Sequence, residues 1–327
     1  MGPGTGAPPW KVLSLNIWFN EEACVAERIS GFVALVRAEH PDALALQEVT
    51  RRIEAELRRR LAPLGWSFER QEDEGQRYWT LLAVRAPCRF RHISTTATSG
   101  VKDPPRASTT IPLNTSQQGR ALHFAVLEDS GAGRGARPAP RPSIMLATLH
   151  AESPTGWATL NVAERQRQVQ QCQQILAVPA SKMNVPVVFA ADFNWHDARG
   201  GPIASSTAPV WIDAWRTLAT LADVDAPGCT YDMRRNAMLR ATEPFAPRSV
   251  PKRMDRVLIH EHRARDAGAD LGDYCRVAIV GVVPLRGPMR ALARPPPGRA
   301  SNSEADYEGS PLCISDHFGL LTTCVYI

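Results

Sequence analysis

The sequence lacks the long apolar runs that place a chain in a membrane. No stretch of its 327 residues approaches the roughly 18 to 20 continuous apolar residues of a membrane span. The first ten residues, MGPGTGAPPW, also lack the apolar region of a signal peptide. We therefore expect residues 1–9 to form a flexible leader, and we expect no membrane span.

The sequence also lacks the cysteine patterns of disulfide scaffolds and zinc sites. Its seven cysteines are odd in number, are scattered along the chain and form no Cys-x-x-Cys pair. Neither a disulfide framework nor a zinc site is indicated. This usage is typical of a reducing compartment, so we expect an intracellular protein, nuclear or cytoplasmic.

Neither sign of charge dominates the sequence, and positive charge is only slightly in excess. The 38 Lys and Arg against 33 Asp and Glu give a net charge of +5, which mildly favours polyanionic partners without separating nucleic acid from lipid phosphate. The most basic segment, RRIEAELRRR, is interrupted by Glu54 and Glu56. It is either a nucleic-acid contact, a localisation signal or a solvated helix face, and the interruption favours the solvated face.

Strand and helix patterns alternate along both halves of the chain. Apolar, partly β-branched runs predict strands at KVLSLNIWF, ALALQEV, YWTLLAV, ALHFAVL, SIMLATLH and VPVVFAADFN. Amphipathic spacing predicts helices over residues 26–38, at RRIEAELRRRLAPLG and over residues 156–178. This order predicts an α/β fold of packed sheets covered by helices.

We expect one domain over residues 10–327. Inserts near residues 97–118, 129–143 and 286–310 are rich in Pro, Gly, Ser and Arg and predict loops. Strand patterns resume directly after each insert, so none is typical of an interdomain linker. No repeat of fixed period is present, which argues against solenoids and propellers.

Several predicted strands end in polar side chains: Asn16, Glu48, His150 and Asp192. Two more polar residues, Asp316 and His317, stand directly before the last predicted strand. Each alone has an ordinary explanation in turn chemistry. Together, at the same kind of position, they indicate a site at the rim of the sheets, where side chains leave the core but keep a rigid support.

The chemistry of these side chains points to a metal-dependent phosphodiesterase. Carboxylate oxygens with an Asn amide oxygen suit a hard cation, and Mg²⁺ takes one or two carboxylates while keeping water and substrate phosphate as further ligands. Histidines that contact phosphate oxygens complete such a site. We therefore expect Mg²⁺ as the cofactor, with Mn²⁺ as a possible substitute.

Six segments, in order along the chain, resemble the endonuclease/exonuclease/phosphatase superfamily, the group of deoxyribonuclease I and the abasic-site endonucleases. They are LSLNIW, LALQEV, ATLHAES, AADFNWHD, RMDRVLI and ISDHFGL. The resemblance implies a deoxyribonuclease I-like, four-layer α/β sandwich with two packed mixed sheets flanked by helices.

The resemblance also implies roles for the metal and water ligands. Glu48, assisted by Asn16, would hold Mg²⁺, with Asp316 near the metal. Asp192 would orient or deprotonate the attacking water, and Asn194 would fix both.

The phosphate contacts follow from the same resemblance. His150, Ser153 and His317 would grip the phosphate. Asp255, in RMDRVLI, would orient His317, as carboxylates commonly do for imidazoles.

Within the superfamily the chain is similar to the tyrosyl-DNA phosphodiesterase 2 family. Two segments carry this likeness, LHAESPTGWATLNVAERQRQVQQ and GCTYDMRRNAML. The second contains Asn236. TSQQGRALHF places Arg120 at a substrate-contacting arginine of that family, whereas Tyr231 replaces a tryptophan and His196 an arginine. We hypothesise that Tyr231 stacks on the terminal nucleotide and that Tyr78 lines the pocket of the departing tyrosine.

The likeness implies hydrolysis of 5′-phosphotyrosyl-DNA bonds, with DNA 5′ ends carrying a covalent tyrosine as partner and the protein as a monomer. The same site could instead serve an abasic-site endonuclease, an RNA deadenylase or a lipid phosphodiesterase. A third interpretation is a catalytically inactive nucleic-acid-binding module. The intact set of strand-end residues argues against it, because a lost site usually loses a ligand.

Overall fold

The computed structural model describes residues 8–71, 75–91, 107–130, 142–155, 160–195, 197–203, 210–215, 228–242, 251–260, 275–280 and 313–324. Most of the predicted leader and of the second insert, residues 97–106 of the first insert, the whole of insert 286–310, and His196 lie outside these residues. In the part described, no helix is long and apolar enough to cross a membrane.

Thirteen strands are present in the described residues. They are β1 Trp10–Asn16, β2 Ala43–Val49, β3 Trp66–Arg70, β4 Trp79–Arg85, β5 Cys88–Arg91, β6 Thr109–Pro112, β7 Ala121–Asp129, β8 Ile144–Thr148, β9 Val187–Asp192, β10 Ile212–Asp213, β11 Asp255–His260, β12 Cys275–Val280 and β13 Gly319–Cys324. The helices are α1 Val25–Glu39, α2 Arg51–Leu61, a 3₁₀ turn Ala62–Leu64, α3 Val162–Met183, α4 Asp197–Gly200 and α5 Ala237–Thr242.

The strands form two mixed sheets. The first has six strands in the order β12-β13-β1-β2-β4-β3, and the second runs β10-β11-β9-β8-β7-β5, with β6 also pairing β7. Each sheet contains one parallel pair, β1 with β2 and β8 with β9. Helix α1 connects the first pair and α3 the second, because parallel neighbours need a crossover between them. The predicted alternation of strands and helices is confirmed in both halves.

Three apolar clusters stack the sheets and helices into four layers. One lies between the sheets and includes Leu82 and Leu146. A second packs the first sheet against α1 and α2 through residues such as Phe32 and Leu57, and a third packs the second sheet against α3 through residues such as Leu176. The predicted four-layer α/β sandwich is therefore confirmed.

Helix α2 shows the solvated face that its charges favour. The Thr50 side chain accepts a hydrogen bond from Ile53 N at 3.2 Å and caps the helix. Arg58 then pairs with Glu54 and Arg59 with Glu56, each at 2.7 Å. Arg58, Arg59 and Arg60 thus have carboxylate partners within the helix, although its five arginines outnumber its two glutamates.

Two predicted boundaries differ from the structure. The helix predicted over residues 156–178 is α3, Val162–Met183, and it continues past Pro179 because Ala180 is still buried in the third cluster. The first insert, predicted as a loop over residues 97–118, contains β6. This short strand is only half-buried and is stabilised by pairing with β7, which its own sequence does not reveal.

Candidate active site

The carboxyl ends of the two parallel strand pairs face each other across the sandwich. Gln47 on β2 donates from Nε2 to Thr148 Oγ1 on β8 at 2.8 Å. Asn16 at the end of β1 donates from Nδ2 to Asp192 Oδ2 at the end of β9, at 2.9 Å. Both bonds are buried and join one sheet to the other. They form the floor of the site.

Glu48 leaves the regular geometry of β2. The pairing of β2 with β4 shifts register between Leu46 and Val49, and Glu48 has a left-handed φ of 57°. Bulges of this kind redirect a side chain beside an active site, and the strained backbone is held by its surroundings. Glu48 Oε2 accepts a hydrogen bond from Phe19 N at 3.0 Å, while Oε1 lies 3.6 Å from His150 Nε2.

Glu48 and Asp316 form a pair of interacting, partly exposed acids. Burial and, next, the Asp316 carboxylate raise the pKa of Glu48 to about 7, against the hydrogen bonds from Asn16 and Phe19. Burial likewise raises the pKa of Asp316 above its usual range. Acids whose ionisation is disfavoured in this way are stabilised as carboxylates by a cation between them, so their oxygen donors fit Mg²⁺.

Arg28 is a fully buried cation behind this acid pair. Among the residues described, it donates only to backbone carbonyl oxygens of Ile17, Trp18, Asn20 and Ala23. It therefore shapes the loop that carries Phe19 N. The attraction of Arg28 lowers the pKa of Asp316 only as a minor cause, after burial and the attraction of His317.

Asp192 is held on both of its carboxylate oxygens. Asn16 donates to Oδ2 at 2.9 Å, and the backbone N of Asn194 donates to Oδ1 at 2.8 Å. Burial opposes its ionisation, but His317, His150 and these two hydrogen bonds outweigh burial and keep the pKa of Asp192 below its usual value. Asp192 is therefore a fixed carboxylate at neutral pH. Asn194 has a left-handed φ of 49°, which turns the chain out of the strand.

His317 forms an ion pair with Asp255, its Nδ1 lying 2.8 Å from Asp255 Oδ2. Burial opposes the charged ring, yet Asp255, Asp316 and Asp192 together raise the pKa of His317 well above its usual range. Donor atoms of Asp192, Asp255 and His317 also lie within 4.8 Å of one another, close enough to suggest a metal site. An imidazolium has no free lone pair, so we assign this trio to proton and phosphate chemistry.

The hydrogen bonds of His150 fix its tautomer. Arg120 Nη1 lies 3.0 Å from His150 Nδ1, and because arginine can only donate, Nδ1 must accept. The proton of the neutral ring therefore sits on Nε2, which faces Asp192 Oδ2 at 3.6 Å. Burial and the adjacent Arg120 hold the pKa of His150 well below its usual value. His150 is thus a neutral donor at the site.

Arg120 gathers the other predicted substrate contacts. Its Nη2 donates to Ser153 Oγ at 3.0 Å, and its Nη1 to Tyr78 OH at 3.3 Å. The guanidinium also lies 5.5 Å from the centre of the Tyr78 ring, which stacks on Phe19 at 5.1 Å. Asn194 Nδ2 donates to Ser153 Oγ at 3.2 Å and connects this group to Asp192. A narrow cavity lies between Tyr78, Arg120 and His150.

Tyr231 and Asn236 lie on the other side of His317. The Tyr231 ring meets His317 edge to face at 5.1 Å, with the ammonium of Lys252 5.5 Å from its centre. Asn236 is fully buried, donates to Ser315 O at 2.8 Å and caps α5 by accepting from Leu239 N at 3.0 Å. Asn236 therefore supports the segment that carries His317, and its role at the substrate stays a prediction.

The structure brings together every predicted site residue that it describes except Asn236. Asn236 is connected to the site through its hydrogen bond to Ser315 O, near His317. Sequence reasoning missed Arg28, Lys252 and Ser315, whose hydroxyl donates to Asn16 O at 2.6 Å. Arg28 is part of an ordinary amphipathic helix pattern, and Lys252 stands beside a conspicuous RMDR segment. Only the tertiary contacts of these residues reveal their position, so no pattern in the sequence could have found them.

Comparison with known proteins identifies one matching family. A model of the Endonuclease/Exonuclease/phosphatase family matches residues 13–317. No curated protein matches the sequence. The matched range includes every candidate residue from Asn16 to His317.

Solved structures share the fold at low identity. TDP2 (tyrosyl-DNA phosphodiesterase 2) of D. rerio, in complex with a single-stranded DNA product, is 20% identical over 96% of this chain and 98% of that chain, with a TM-score of 0.66. TDP2 from C. elegans is 17% identical over 100% and 78% of the two chains, with a TM-score of 0.67. The human Nocturnin catalytic domain with bound sulfate is 17% identical over 97% and 94%, with a TM-score of 0.55.

Proposed function

The chain belongs to the endonuclease/exonuclease/phosphatase family, and from this premise we propose that it is a Mg²⁺-dependent phosphodiesterase that releases tyrosine from the 5′ phosphate of DNA. One observation carries the catalytic part of the proposal. The Asn16–Asp192 hydrogen bond, at 2.9 Å, fixes Asp192, the base, at the end of one sheet against the end of the other. A carboxylate base beside two acids, a neutral histidine and a charged histidine supports phosphodiester hydrolysis as the reaction.

Glu48 and Asp316 would hold the metal, with Asn16 supporting them. When bound there, Mg²⁺ supplies Lewis-acid stabilisation of the phosphate charge. The acid pair is suited to this because burial raises the pKa of both carboxyls and the Asp316 carboxylate raises that of Glu48 as well. Phe19 N and the surrounding loop keep Glu48 oriented.

Asp192 takes a proton from the attacking water. The water oxygen forms a bond to phosphorus, the bond from phosphorus to the tyrosine oxygen breaks, and the tyrosine leaves as a phenolate. The hydrogen bonds from Asn16 and Asn194 N hold the Asp192 oxygens in place throughout. A base held in this way acts without first reorganising its surroundings.

The two histidines donate to the phosphate in different charge states. His317 is an imidazolium paired with Asp255, so it offsets the extra negative charge that develops on the phosphate oxygens. His150 is neutral and donates from Nε2, because Arg120 occupies Nδ1. Ser153 and Asn194 supply further polar hydrogens near the same oxygens.

The choice of a tyrosyl bond rests on the leaving group. A tyrosine phenol has a pKa near about 10, so it leaves phosphorus with little protonation. Tyr78 and Arg120 offer an aromatic face and a cation for a departing phenolate beside His150. The complex of D. rerio TDP2 with a single-stranded DNA product, on the same fold, supports a DNA substrate.

Metal dependence is the first test of this proposal. We expect chelation to abolish hydrolysis of a 5′-tyrosyl oligonucleotide and added Mg²⁺ or Mn²⁺ to restore it. Glu48→Gln should raise the Mg²⁺ concentration required for half-maximal turnover by at least about 10-fold, since weakened metal sites commonly lose 10- to 100-fold in affinity. Glu56→Gln, on the solvated face of α2, is the control and should match the unmodified protein. Full activity in excess chelator would contradict the proposal.

Binding of the terminal nucleotide is assigned to Tyr231. Base stacking on an aromatic ring is worth about 1 to 3 kcal/mol, so Tyr231→Ala should weaken binding of a single-stranded 5′ end by roughly 10- to 100-fold. Tyr231→Trp should bind as well or better. Fluorescence anisotropy with a labelled oligonucleotide measures both variants.

An oligonucleotide whose terminal nucleotide lacks its base is the matched control ligand, because the Tyr231→Ala effect should disappear with it. Unchanged affinity for the intact 5′ end, with a fall in turnover, would assign Tyr231 instead to support of His317, which its ring contacts.

A further inference from the structure

Arg120 reaches the site at the end of a turn that buries little apolar surface. The turn runs from Leu113, which is buried, to Arg120, which directly precedes β7. Leu113 N donates to Arg120 O, and Ser116 N donates to Leu113 O, both at 2.9 Å. These bonds close the turn, but they do not connect it to the rest of the site.

The Ser116 hydroxyl holds the turn from inside. It accepts from Arg120 N at 2.7 Å and from Gln118 N at 3.2 Å, and it donates to Glu152 Oε2 at 2.8 Å. A serine hydroxyl has one donor and two acceptor positions, so all three are used. The hydroxyl therefore connects the backbone of Arg120 to a carboxylate.

That carboxylate is fully buried and is anchored to the helix layer. Besides Ser116, Glu152 accepts from Gln117 N at 3.0 Å and from Gln168 Nε2 on α3 at 3.0 Å. Its backbone N donates to Gln168 Oε1 at 2.9 Å, and its carbonyl accepts from Arg165 Nη1 at 2.9 Å. A buried carboxylate is costly unless it is hydrogen-bonded, and here several donors compensate for the burial. Glu152 is the third residue of the HAES segment, between His150 and Ser153.

We propose that Glu152, acting through Ser116, is a positioning residue that fixes the Arg120 turn and so sets the guanidinium in the active site. Glu152 touches none of the groups assigned to the phosphate or the water. Its effect passes through Arg120, which contacts His150 Nδ1 at 3.0 Å and Ser153 Oγ at 3.0 Å. This inference rests on the proposed function, because it takes Arg120 to be needed for turnover.

The Gln118 side chain also holds the Arg120 guanidinium in place. Gln118 Oε1 accepts from Arg120 Nη2 at 2.7 Å and from Ser153 N at 2.9 Å. The backbone N of Gln118 donates to the Ser116 hydroxyl. Loss of that hydroxyl therefore loosens the backbone and the side-chain partner of Arg120 at once, while Glu152 keeps its bonds to Gln117 and Gln168.

Ser116→Ala is the informative variant, because it breaks the connection and leaves the buried carboxylate with partners. Misplacement of a catalytic contact by about 1 Å can cost 100-fold, so we expect kcat/KM for a 5′-tyrosyl oligonucleotide to fall by about 10- to 100-fold. Ser116→Thr keeps a hydroxyl and should recover most of the loss. Ser108→Ala, which removes a hydroxyl bonded to Glu69 at 3.1 Å on the neighbouring strands, should have no effect.

A double-mutant cycle with Arg120→Ala separates positioning from general destabilisation. Arg120→Ala alone should cost about 100-fold, and in that background Ser116→Ala should cost little more. The ¹⁵N resonance of His150 Nδ1, which reports its bond from Arg120, should move in Ser116→Ala and return in Ser116→Thr. Neither readout responds to a uniform loss of stability.

Three results would overturn the inference. Normal turnover of Ser116→Ala beside an impaired Arg120→Ala would leave Arg120 in the proposed function but remove its dependence on Glu152. Equal losses for Ser116→Ala in both backgrounds would reduce Ser116 to a stabilising residue. Normal turnover of Arg120→Ala would remove Arg120 from the proposed mechanism and the positioning role with it.

Discussion

Asp192→Asn is expected to lower the single-turnover rate by about 10²- to 10⁴-fold while sparing substrate binding, as loss of a general base commonly does. An asparagine of nearly the same shape cannot accept the water's proton. Its amide nitrogen would also face either Asn16 Nδ2 or the backbone N of Asn194, both of which are donors to Asp192. The replacement thus removes both the base and one of the bonds that hold it.

Two measurements separate these effects. Rapid-quench kinetics with a 5′-tyrosyl oligonucleotide give the rate, and anisotropy gives the affinity. In the Asp192→Asn background, Asn16→Asp, which supplies a carboxylate on the opposite side of the same hydrogen bond, should restore none of the rate. Near-normal turnover of Asp192→Asn would move the active site elsewhere in the protein.

His317→Ala is the second large effect, with an expected loss of about 10²- to 10⁴-fold in turnover and little change in affinity. The imidazolium offsets charge that develops mainly in the transition state, so its absence should appear in kcat more than in KM. Steady-state kinetics over a range of substrate concentrations measure this split. A rise in KM with unchanged kcat would assign His317 to binding alone.

Asp255→Asn should have a smaller effect than His317→Ala, and the effect should depend on pH. Burial disfavours the charged ring of His317, and the carboxylates of Asp255, Asp316 and Asp192 overcome burial and raise its pKa. Removing one carboxylate therefore lowers the pKa of His317. The imidazolium is then lost at a lower pH, so the alkaline fall in kcat should move to lower pH, with a smaller deficit in acid. An unmoved profile would separate Asp255 from the protonation of His317.

The order of elements and the position of the site could be predicted from the sequence. The long apolar strands lie where the periodicity places them, because burial on both faces leaves an uninterrupted apolar run. Asn16, Glu48, His150 and Asp192 were found because each ends such a run. The superfamily and the four-layer fold predicted by resemblance are confirmed by the family match and by the layers themselves.

The short strands at or near the sheet edges could not be predicted. β5, Cys88–Arg91, alternates buried and exposed residues over four positions, and β10 has only two residues. Such segments are too short for a periodic signal, and cross-strand pairing decides their conformation. The same limit hides the details of the site. The left-handed backbone at Glu48 and Asn194 depends on contacts made far along the chain.

The connection from Glu152 to Arg120 depends on residues that are distant from the HAES segment in sequence. Residues 150–153 are adjacent in sequence, yet Ser116 and Gln168, which give Glu152 its position, lie 36 and 16 residues away. The family resemblance identifies this segment, but only the fold shows which residues Glu152 contacts.

The central claim is tested most directly by product identity. The purified protein would be offered matched oligonucleotides with a 5′-tyrosine, a 3′-tyrosine, an internal abasic site or a plain end, each with Mg²⁺ and with excess chelator. We predict release of free tyrosine and a 5′-phosphorylated strand from the first substrate alone, and only with Mg²⁺. Cleavage of the abasic site, stepwise shortening of the plain strand, or no cleavage of the 5′-tyrosyl substrate would contradict the account.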